Sequence, residues 1–300
     1  MLYGLIGSPV KHSLSAVMHT AAFEAIGIDA DYRLFDIPES ELKSFFIDQD
    51  RIIEDITGRP FKISSLDGFN ITIPHKISSK IIIQENFPLR SSFDSLSDLV
   101  GAINTVKKED DRFLCTNTDA LGFLDSLKND LSFSETGINA FVFGCGGAGR
   151  AVISGLISGE ATIADCVYVY DINSVAKHEL LQHFSKFPNI RDKICFVEEE
   201  DIALYLSKSS LLINATSVGM RQGDSLSLVD RQLLCHGLTV YDLVYNRQTQ
   251  LIKDAHSKGL AASDGLGMLL YQGVRAWEFW TQKAAPVDVM KKALLKAIAG

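Results

Sequence analysis

The chain has 300 residues, of which 46% are hydrophobic and 22% charged, and its formal net charge is −8. This is the composition of a soluble globular protein with one large or two ordinary domains, and it excludes intrinsic disorder. An acidic chain lacks the clustered lysines and arginines that phosphate backbones require, so we expect no nucleic-acid partner.

Targeting and metal signals are also missing from the sequence. No apolar run reaches the roughly 18 residues needed to span a bilayer, and the opening "MLYGLIGSPVKHS" lacks the apolar core of a signal peptide. The five cysteines are scattered without a C-x-x-C pair, and no H-E-x-x-H pattern occurs. We therefore expect a cytoplasmic protein with no metal, no disulfide framework and no membrane partner.

The first part of the chain alternates apolar strands with helical segments. The predicted strands are "LYGLIG" (2–7), "ADYRLFDI" (30–37) and "GFNITI" (68–73). The predicted helices are "SLSAVMHTAAFEAIG" (13–27, ending at Gly27), "ESELKSFFIDQD" (39–50) and, on a weaker pattern, "HKISSKIIIQE" (75–85). Residues 51–67 fit no period, which predicts a surface insertion. Residues 101–118 predict a hairpin with Glu109, Asp110 and Asp111 at its turn.

From about residue 119 the alternation starts again. The predicted strands are "INAFVFG" (138–144), "CVYVYD" (166–171), "SLLINAT" (210–216) and "GLTVYDLVY" (237–245). The predicted helices are "GAGRAVISGLIS" (147–158), "SVAKHELLQHFSKF" (174–187) and two C-terminal stretches, 267–284 and 286–300. Strands that alternate with helices indicate right-handed βαβ crossovers and a parallel sheet.

A glycine-rich loop follows the strand at 138–144. Gly144, Gly146 and Gly149 form G-x-G-x-x-G between a strand and a helix, which is the context a dinucleotide site requires. The first glycine allows a tight turn, the second lets the backbone approach a pyrophosphate, and the third allows close helix–strand packing. Alternatively, the loop could be a glycine-rich connector that binds nothing.

Asp171 ends the next strand, about 20 residues beyond the last glycine. An aspartate at this place accepts hydrogen bonds from ribose hydroxyls and repels a 2′-phosphate, and no arginine follows it directly. We therefore predict that NAD is preferred over NADP. Alternatively, Asp171 could cap the following helix.

Eight motifs, in this order, make the chain resemble shikimate dehydrogenase and its quinate/shikimate dehydrogenase relatives. They are "GSPVKHSLS" (7–15), "GFNITIPHK" (68–76), "GAINTV" (101–106), "NTDALG" (117–122), "GCGGAG" (144–149), "NATSVGM" (214–220), "YDLVY" (241–245) and "GMLLYQG" (267–273). Several motifs in one order are far more specific than any one of them alone.

The resemblance implies an α/β fold of two domains, with a cleft between them. Residues 1–118 with 266–300 would form a substrate-binding domain with a mostly parallel sheet, to which the C-terminal helices return. Residues 119–265 would form a Rossmann-type dinucleotide-binding domain. The implied reaction transfers hydride between a ring hydroxyl of shikimate, or also quinate, and a nicotinamide cofactor.

Lys76 and Asp119 match the catalytic pair of the family. The resemblance implies that they position the hydroxyl and exchange its proton. On their own, these residues permit simpler interpretations: Lys76 could be a solvated surface lysine, and Asp119 could be the N-cap of a helix that begins at Ala120.

Further residues match the ligand contacts of the family. Ser13 and Ser15 match the serines that bind the substrate carboxylate, although they could simply cap the first helix. Asn70, Thr72, Asn104 and Gln272 match residues that bind the ring hydroxyls, and Tyr245 matches a tyrosine near the carboxylate. Alternatively, Asn104 could be a turn residue and Gln272 an exposed helical residue. The cofactor residues expected are Gly144, Gly146, Gly147, Ala148, Gly149, Asp171, Asn214, Thr216 and Gly265.

The chain departs from the family pattern most at the strand end that carries Asp171. Members that use NADP tend to have Asn-Arg-Thr where this chain has Asp171, Ile172 and Asn173. Three smaller departures lie at Ala16, at Thr20 and at residues 246–249. The leading interpretation is therefore an NAD-linked enzyme. The alternatives are an NADP-dependent enzyme of aromatic amino acid (chorismate pathway) biosynthesis and a non-catalytic metabolite sensor, each as a monomer or homodimer.

Overall fold

A computed structural model of the protein describes residues 1–158, 162–221, 223 and 227–299. The chain divides into two compact units, the first comprising Met1–Thr118 with Gln272–Gly300 and the second Asp119–Tyr271. The boundary near the C-terminus falls inside a helix, between Tyr271 and Gln272.

Strands alternate with helices along the described residues. The strands are β1 (Leu2–Gly7), β2 (Asp31–Asp36), β3 (Ile52–Glu54), β4 (Pro60–Lys62), β5 (Gly68–Ile71), β6 (Ser91–Phe93), β7 (Thr105–Glu109), β8 (Arg112–Thr116), β9 (Ile138–Phe143), β10 (Ala164–Tyr170), β11 (Ile194–Phe196), β12 (Leu211–Asn214), β13 (Thr239–Asp242) and β14 (Ala262–Ser263). The helices are α1 (Ser15–Ile26), α2 (Glu39–Ile47), α3 (Lys76–Asn86), α4 (Ser95–Val100), α5 (Asp119–Leu131), α6 (Gly147–Ile157), α7 (Ser174–Phe184), α8 (Pro188–Arg191), α9 (Ile202–Leu206), α10 (Gln250–Ser257), α11 (Leu266–Thr281) and α12 (Val287–Ala299).

The first unit is built on a mixed sheet in the order β2-β1-β5-β7-β8-β6. The pairs β1–β2, β1–β5 and β6–β8 are parallel, whereas β7 is antiparallel to both β5 and β8. The prediction of a mostly parallel sheet is confirmed. The antiparallel part includes the predicted hairpin of β7 and β8, in which Glu109 pairs with Arg112 across Asp110 and Asp111.

One side of this sheet packs on an aromatic core. Phe45 and Phe46 of α2 lie against Phe69 of β5, with ring centroids 5.3 and 6.0 Å apart. Each fully buried phenylalanine contributes about 2–3 kcal/mol relative to an exposed one. The apolar residues of the predicted α2 and β5 segments therefore form part of the core of this unit.

The C-terminal chain completes the first unit, as the resemblance implied. Helix α12 packs against α1, and Trp277 and Trp280 at the end of α11 are buried. Trp277 lies 4.8 Å from the ring of Phe23 in α1, and the Trp280 indole donates from Nε1 to the Val106 carbonyl at 2.9 Å.

Residues 51–67, predicted as a surface insertion, are mostly exposed but contain regular structure. Strands β3 and β4 form an antiparallel hairpin, and a 3-10 turn, Ile63–Ser65, follows. Ile53 and Ile63 turn inward and are buried in the same core as α2. Three-residue strands are too short to show a period, so the pattern was not visible in the sequence.

The second unit holds a parallel sheet in the order β11-β10-β9-β12-β13-β14. Numbered from β9, this is the order 3-2-1-4-5-6 of a dinucleotide-binding Rossmann sheet. The described residues of β12 are buried throughout, which is expected of a central strand that is covered on both faces.

The sequence patterns missed several short elements. These are α4, α8, α9, α10, β6, β11 and β14. Most are too short for a periodic signal. Helix α5 is the helix that was considered as an alternative context for Asp119, and it begins one residue earlier than Ala120. Of these elements, α5 and α4 bear on the candidate site, because they flank residues that were predicted to bind substrate.

Candidate active site

The Lys76 segment lies where β5 gives way to α3. β5 ends at Ile71, two residues before the predicted end, and Ile73 is 57% exposed and does not alternate into the core. The His75 backbone N–H donates to the Thr72 carbonyl at 3.0 Å, so the chain turns out of the ladder here. Lys76 is therefore the first residue of a helix and does not project from a strand edge.

The backbone on both sides of Lys76 is anchored. His75 is fully buried, and its Nε2 lies 2.6 Å from the Ile37 carbonyl oxygen. The Ile103 N–H donates to the Lys76 carbonyl at 3.1 Å. The half-buried Lys76 side chain thus starts from a fixed backbone, because both the preceding residue and its own carbonyl are held.

Two predicted asparagines form one buried network. Asn104 Nδ2 donates to Thr118 Oγ1 at 3.0 Å, and Asn104 Oδ1 accepts the Thr118 N–H at 2.7 Å. Asn70 Nδ2 donates to Thr105 Oγ1 at 2.9 Å and to the Asn104 carbonyl at 3.3 Å. Asp119 follows Thr118 directly and lies in the first turn of α5, so it is not the N-cap of a helix that begins at Ala120.

The two predicted serines lie at the start of α1. Ser13 Oγ is 3.2 Å from Ser15 Oγ and accepts the Ser15 N–H at 3.3 Å. The N-cap residue of α1 is Leu14, which supplies no capping side chain. Neither serine is therefore the N-cap residue, although Ser13 Oγ accepts one N–H of the first turn. Two hydroxyls that meet at a helix N-terminus can share one anion.

Two buried aromatic residues beside these groups were not predicted. The Tyr32 hydroxyl donates to Asn70 Oδ1 at 2.7 Å. The His19 ring stacks on Tyr32 at 4.6 Å between centroids, with 13° between planes. Burial lowers the pKa of His19 to about 3, so its ring is neutral at ordinary pH. The strand pattern around Tyr32 indicated burial but could not indicate its partner.

Three other predicted substrate contacts are Thr72, which follows β5, Gln272 in α11, and Tyr245, which follows β13. Thr72 is half-buried, and its N–H donates to the Ile6 carbonyl at 2.9 Å. Gln272 is half-buried on α11. In the second unit, burial raises the pKa of Tyr245, which keeps its phenol protonated and able to donate a hydrogen bond. Their roles remain predictions.

The glycine loop has the local geometry that the motif demands. Gly144 has φ +91°, a conformation that side chains rarely adopt. A Cβ on Gly149 would collide with the Gly144 carbonyl, whereas a Cβ on Gly146 would meet nothing within 4 Å. Gly147 and Ala148 are half-buried in the first turn of α6. The loop therefore leaves an open surface at a helix N-terminus, which fits a pyrophosphate.

Asp171 faces this loop. Its Oδ2 accepts the Cys145 N–H at 2.9 Å and lies 3.4 Å from Cys145 Sγ, and its Oδ1 accepts the Asn173 N–H at 2.8 Å. The cap of α7 is the Asn173 side chain, so the alternative interpretation of Asp171 as the helix cap is wrong. Ile172 beside it is 90% exposed.

Asn214 organises the loop after β12. Its Oδ1 accepts from the N–H of Thr216 at 2.9 Å and from the Thr216 hydroxyl at 2.6 Å, and its Nδ2 donates to Asp242 at 2.8 Å. Thr249 Oγ1 donates to the other oxygen of Asp242 at 2.6 Å. Burial raises the pKa of Asp242 to about 6. The amide of Asn214 therefore holds the loop, and Thr216 is half-buried within it.

Gly265 packs directly on the chain that follows β13. Its N–H donates to the Val244 carbonyl at 3.2 Å, and a Cβ at this position would collide with the Leu243 carbonyl. Only glycine fits this close backbone approach.

Residues 1–158, 162–221, 223 and 227–299 contain no group of three or more histidine, cysteine, aspartate or glutamate residues that could hold a metal ion. No helix among the same residues is long and apolar enough to cross a bilayer.

Comparison with known families gives two matches. The family model of the shikimate dehydrogenase substrate binding domain matches residues 5–106 of the sequence. The model described as the shikimate 5′-dehydrogenase C-terminal domain matches residues 265–295.

Whole-chain relatives agree with these matches. The shikimate dehydrogenase (NADP(+)) of Methanopyrus kandleri is 34% identical over 98% of this chain and 94% of its own length. The structure of shikimate 5-dehydrogenase from Thermus thermophilus with NADP(H) and shikimate has a TM-score of 0.79 at 29% identity and covers 99% of each chain. That of shikimate 5-dehydrogenase from Listeria monocytogenes with shikimate and NAD has a TM-score of 0.81 at 28% identity, covering 98% of this chain and 96% of that one.

Proposed function

Because the chain belongs to the shikimate dehydrogenase family, we propose that it interconverts shikimate and 3-dehydroshikimate with a nicotinamide cofactor. The observation that carries the proposal is the linkage around the predicted catalytic pair. The Lys76 carbonyl accepts a hydrogen bond from the Ile103 N–H. The side chain of the next residue, Asn104, is hydrogen-bonded to Thr118, and Asp119 follows Thr118 in the chain.

Lys76 and Asp119 handle the proton of the reacting hydroxyl. When bound, the nicotinamide accepts or supplies the hydride. Oxidation of the alcohol releases a proton, and an amine paired with a carboxylate takes it up, while the ammonium form returns it in the reductive direction. The fixed backbone at Lys76 supports this role, because proton transfer requires the donor and acceptor within hydrogen-bond reach.

The substrate carboxylate binds Ser13 and Ser15, with the protonated Tyr245 phenol as a further donor. The paired hydroxyls at the start of α1 support this assignment. The ring hydroxyls are bound by residues with amide and hydroxyl side chains. We assign this set to Asn70, Thr72, Asn104 and Gln272.

The two parts of the chain have different main roles. Residues 1–118 with 266–300 supply most of the substrate ligands, and residues 119–265 bind the dinucleotide and contribute Asp119 and Tyr245. The match of the substrate binding domain to residues 5–106 and the strand order of the second unit support this division. The cofactor residues in the second part are those of the glycine loop, Asp171, Asn214, Thr216 and Gly265.

We further propose that NAD is preferred over NADP. Asp171 lies against the glycine loop, where its carboxylate accepts a ribose hydroxyl and repels a 2′-phosphate. The following residue, Ile172, carries no charge that could offset this repulsion. The Methanopyrus kandleri relative is named for NADP(+), so an NADP-dependent biosynthetic enzyme is the second candidate.

Quinate as an additional substrate and a cytoplasmic location complete the proposal. Quinate shares the carboxylate and ring hydroxyls that the assigned residues would bind. The five cysteines are all unpaired thiols, which is typical of a reducing compartment.

The decisive experiment is a matrix of two substrates against two cofactors. The value of kcat/KM is measured by nicotinamide absorbance for shikimate and quinate with NAD and NADP. We expect turnover of shikimate with a higher kcat/KM for NAD, and a shift toward NADP in the Asp171→Asn variant. A wild-type preference for NADP would refute the assignment of Asp171. Tight shikimate binding without turnover would favour the metabolite sensor.

A further inference from the structure

The Tyr32 phenol lies beside the asparagine that is assigned to the ring hydroxyls. Its hydroxyl donates to Asn70 Oδ1 at 2.7 Å, in a pair that is 4% exposed on both sides. One buried tyrosine therefore holds the amide oxygen of a predicted substrate ligand.

The bond from Tyr32 decides which way the Asn70 amide points. A phenol that donates to one end of the amide defines that end as the oxygen. The other end, Nδ2, then donates to Thr105 Oγ1 at 2.9 Å and to the Asn104 carbonyl. Thr105 Oγ1 is in turn 3.0 Å from Asn104 Oδ1. The orientation of Asn70 is thus passed on to Asn104.

Packing holds the Tyr32 ring where this bond requires it. His19 stacks on one face, and Trp280 lies 6.2 Å away at 48°. Neither ring nitrogen of His19 has a hydrogen-bond partner among the described residues, so the imidazole contributes here through ring packing. The phenol therefore has little freedom to rotate away from Asn70.

We propose that Tyr32 is a positioning residue of the substrate site, which holds the Asn70 amide in the orientation that the ring hydroxyls of the ligand require. This inference rests on the proposed function. It requires no contact between Tyr32 and the substrate, because Tyr32 acts through Asn70.

The test is the affinity for shikimate of the Tyr32→Phe variant, measured by isothermal titration calorimetry. The phenyl ring keeps the stack with His19 and Trp280, so the fold is retained, while Asn70 Oδ1 loses its buried donor. We expect Kd for shikimate to rise on the order of 10-fold. In turnover, KM for shikimate should rise with kcat and the cofactor KM little changed.

Tyr3→Phe is the matched control. Tyr3 lies in the same aromatic cluster, 4.8 Å from Trp280, but its hydroxyl contacts only the Met1 sulfur at 3.8 Å among the described residues. We expect its Kd for shikimate to equal that of the wild type. A loss of affinity in both variants would indicate general disturbance of the cluster and would overturn the proposal.

Two further variants show whether Tyr32 acts through Asn70. In an Asn70→Ala background, Tyr32→Phe should have much less effect on Kd, because the residue that it orients is gone. Thr105→Val removes the acceptor on the other side of the Asn70 amide and should weaken shikimate binding in the same direction, even if Tyr32→Phe fails to fold. Unchanged Kd in Tyr32→Phe and Thr105→Val, with a wild type that binds shikimate, sinks this inference alone. A wild type that does not bind shikimate sinks the proposed function, and the inference falls with it.

Discussion

Lys76 occupies a position that helix stability does not explain. It begins α3, and no acidic residue lies in the first turn of that helix. A helix N-terminus carries partial positive charge, so a cation there costs a few tenths to about 1 kcal/mol. A residue that runs against a local preference of the helix is a candidate for function.

Replacement of Lys76 by alanine should separate catalysis from substrate binding. We expect kcat to fall at least about 100-fold, because general acid–base catalysis contributes 10²- to 10⁴-fold. KM for shikimate should change much less. Steady-state kinetics measure both quantities.

Lys43→Ala, at an exposed position on α2, provides the control and should retain full kcat. If Lys76→Ala raised KM and left kcat intact, Lys76 would be a binding residue and the assigned proton transfer would be wrong.

At the scale of elements, two glycines of the same loop are explained by different requirements, one by backbone packing and one by ligand binding. Gly149 is required by the protein itself, because a Cβ there would strike the Gly144 carbonyl. Gly146 has φ −67° and open space around the position of a Cβ, so the fold does not require glycine there. Only an approaching ligand would explain it.

Alanine at Gly149 should therefore mainly reduce stability, whereas alanine at Gly146 should mainly weaken cofactor binding. Gly149→Ala should lower the free energy of unfolding by about 2 kcal/mol or more, because the backbone must shift to remove the overlap. Gly146→Ala should cost less than about 1 kcal/mol, the loss expected of an altered helix cap, yet raise the cofactor KM at least about 10-fold. Urea unfolding and cofactor-dependent kinetics measure these quantities. An unchanged cofactor KM in Gly146→Ala would show that the pyrophosphate does not bind at this loop.

At the scale of the whole molecule, the end of the chain returns to its beginning. Trp280 Nε1 donates to the Val106 carbonyl, 174 residues earlier, and a Cβ on Gly68 would meet the Trp280 indole. Closing a loop of this length has an entropic cost that grows slowly with length, so the contact must be favourable once the first unit has formed. Trp280 therefore fastens the C-terminal helices to the first unit.

A comparison of the two tryptophans isolates that hydrogen bond. Both are buried, but Trp277 Nε1 has no hydrogen-bond partner among the residues that the structure describes. Trp280→Phe should lower the free energy of unfolding by about 1–3 kcal/mol more than Trp277→Phe, because the Val106 carbonyl is left without its donor. Urea denaturation of the two variants, each followed by the remaining tryptophan, gives the difference. Equal losses would mean that ring packing alone holds the C-terminal helices.

The sequence by itself determined what depends on neighbouring residues. The long apolar strands, their alternation with helices and the glycine loop are local patterns, so the parallel sheet of the second unit and the open surface at Gly146 followed from spacing and sterics. The eight motifs indicated the family in the same way. The short hairpin at 51–67 was missed, because a three-residue strand has no measurable period.

Only the tertiary structure decided which distant side chains meet. Asn70 pairs with Tyr32, which is 38 residues away, and Trp280 pairs with Val106. Asn173, and not Asp171, caps α7. Hydrogen bonds between residues far apart in the chain depend on strand order and on how the units close around their cores. No pattern along the chain encodes that order directly, because buried polar groups find partners only when the whole unit has folded.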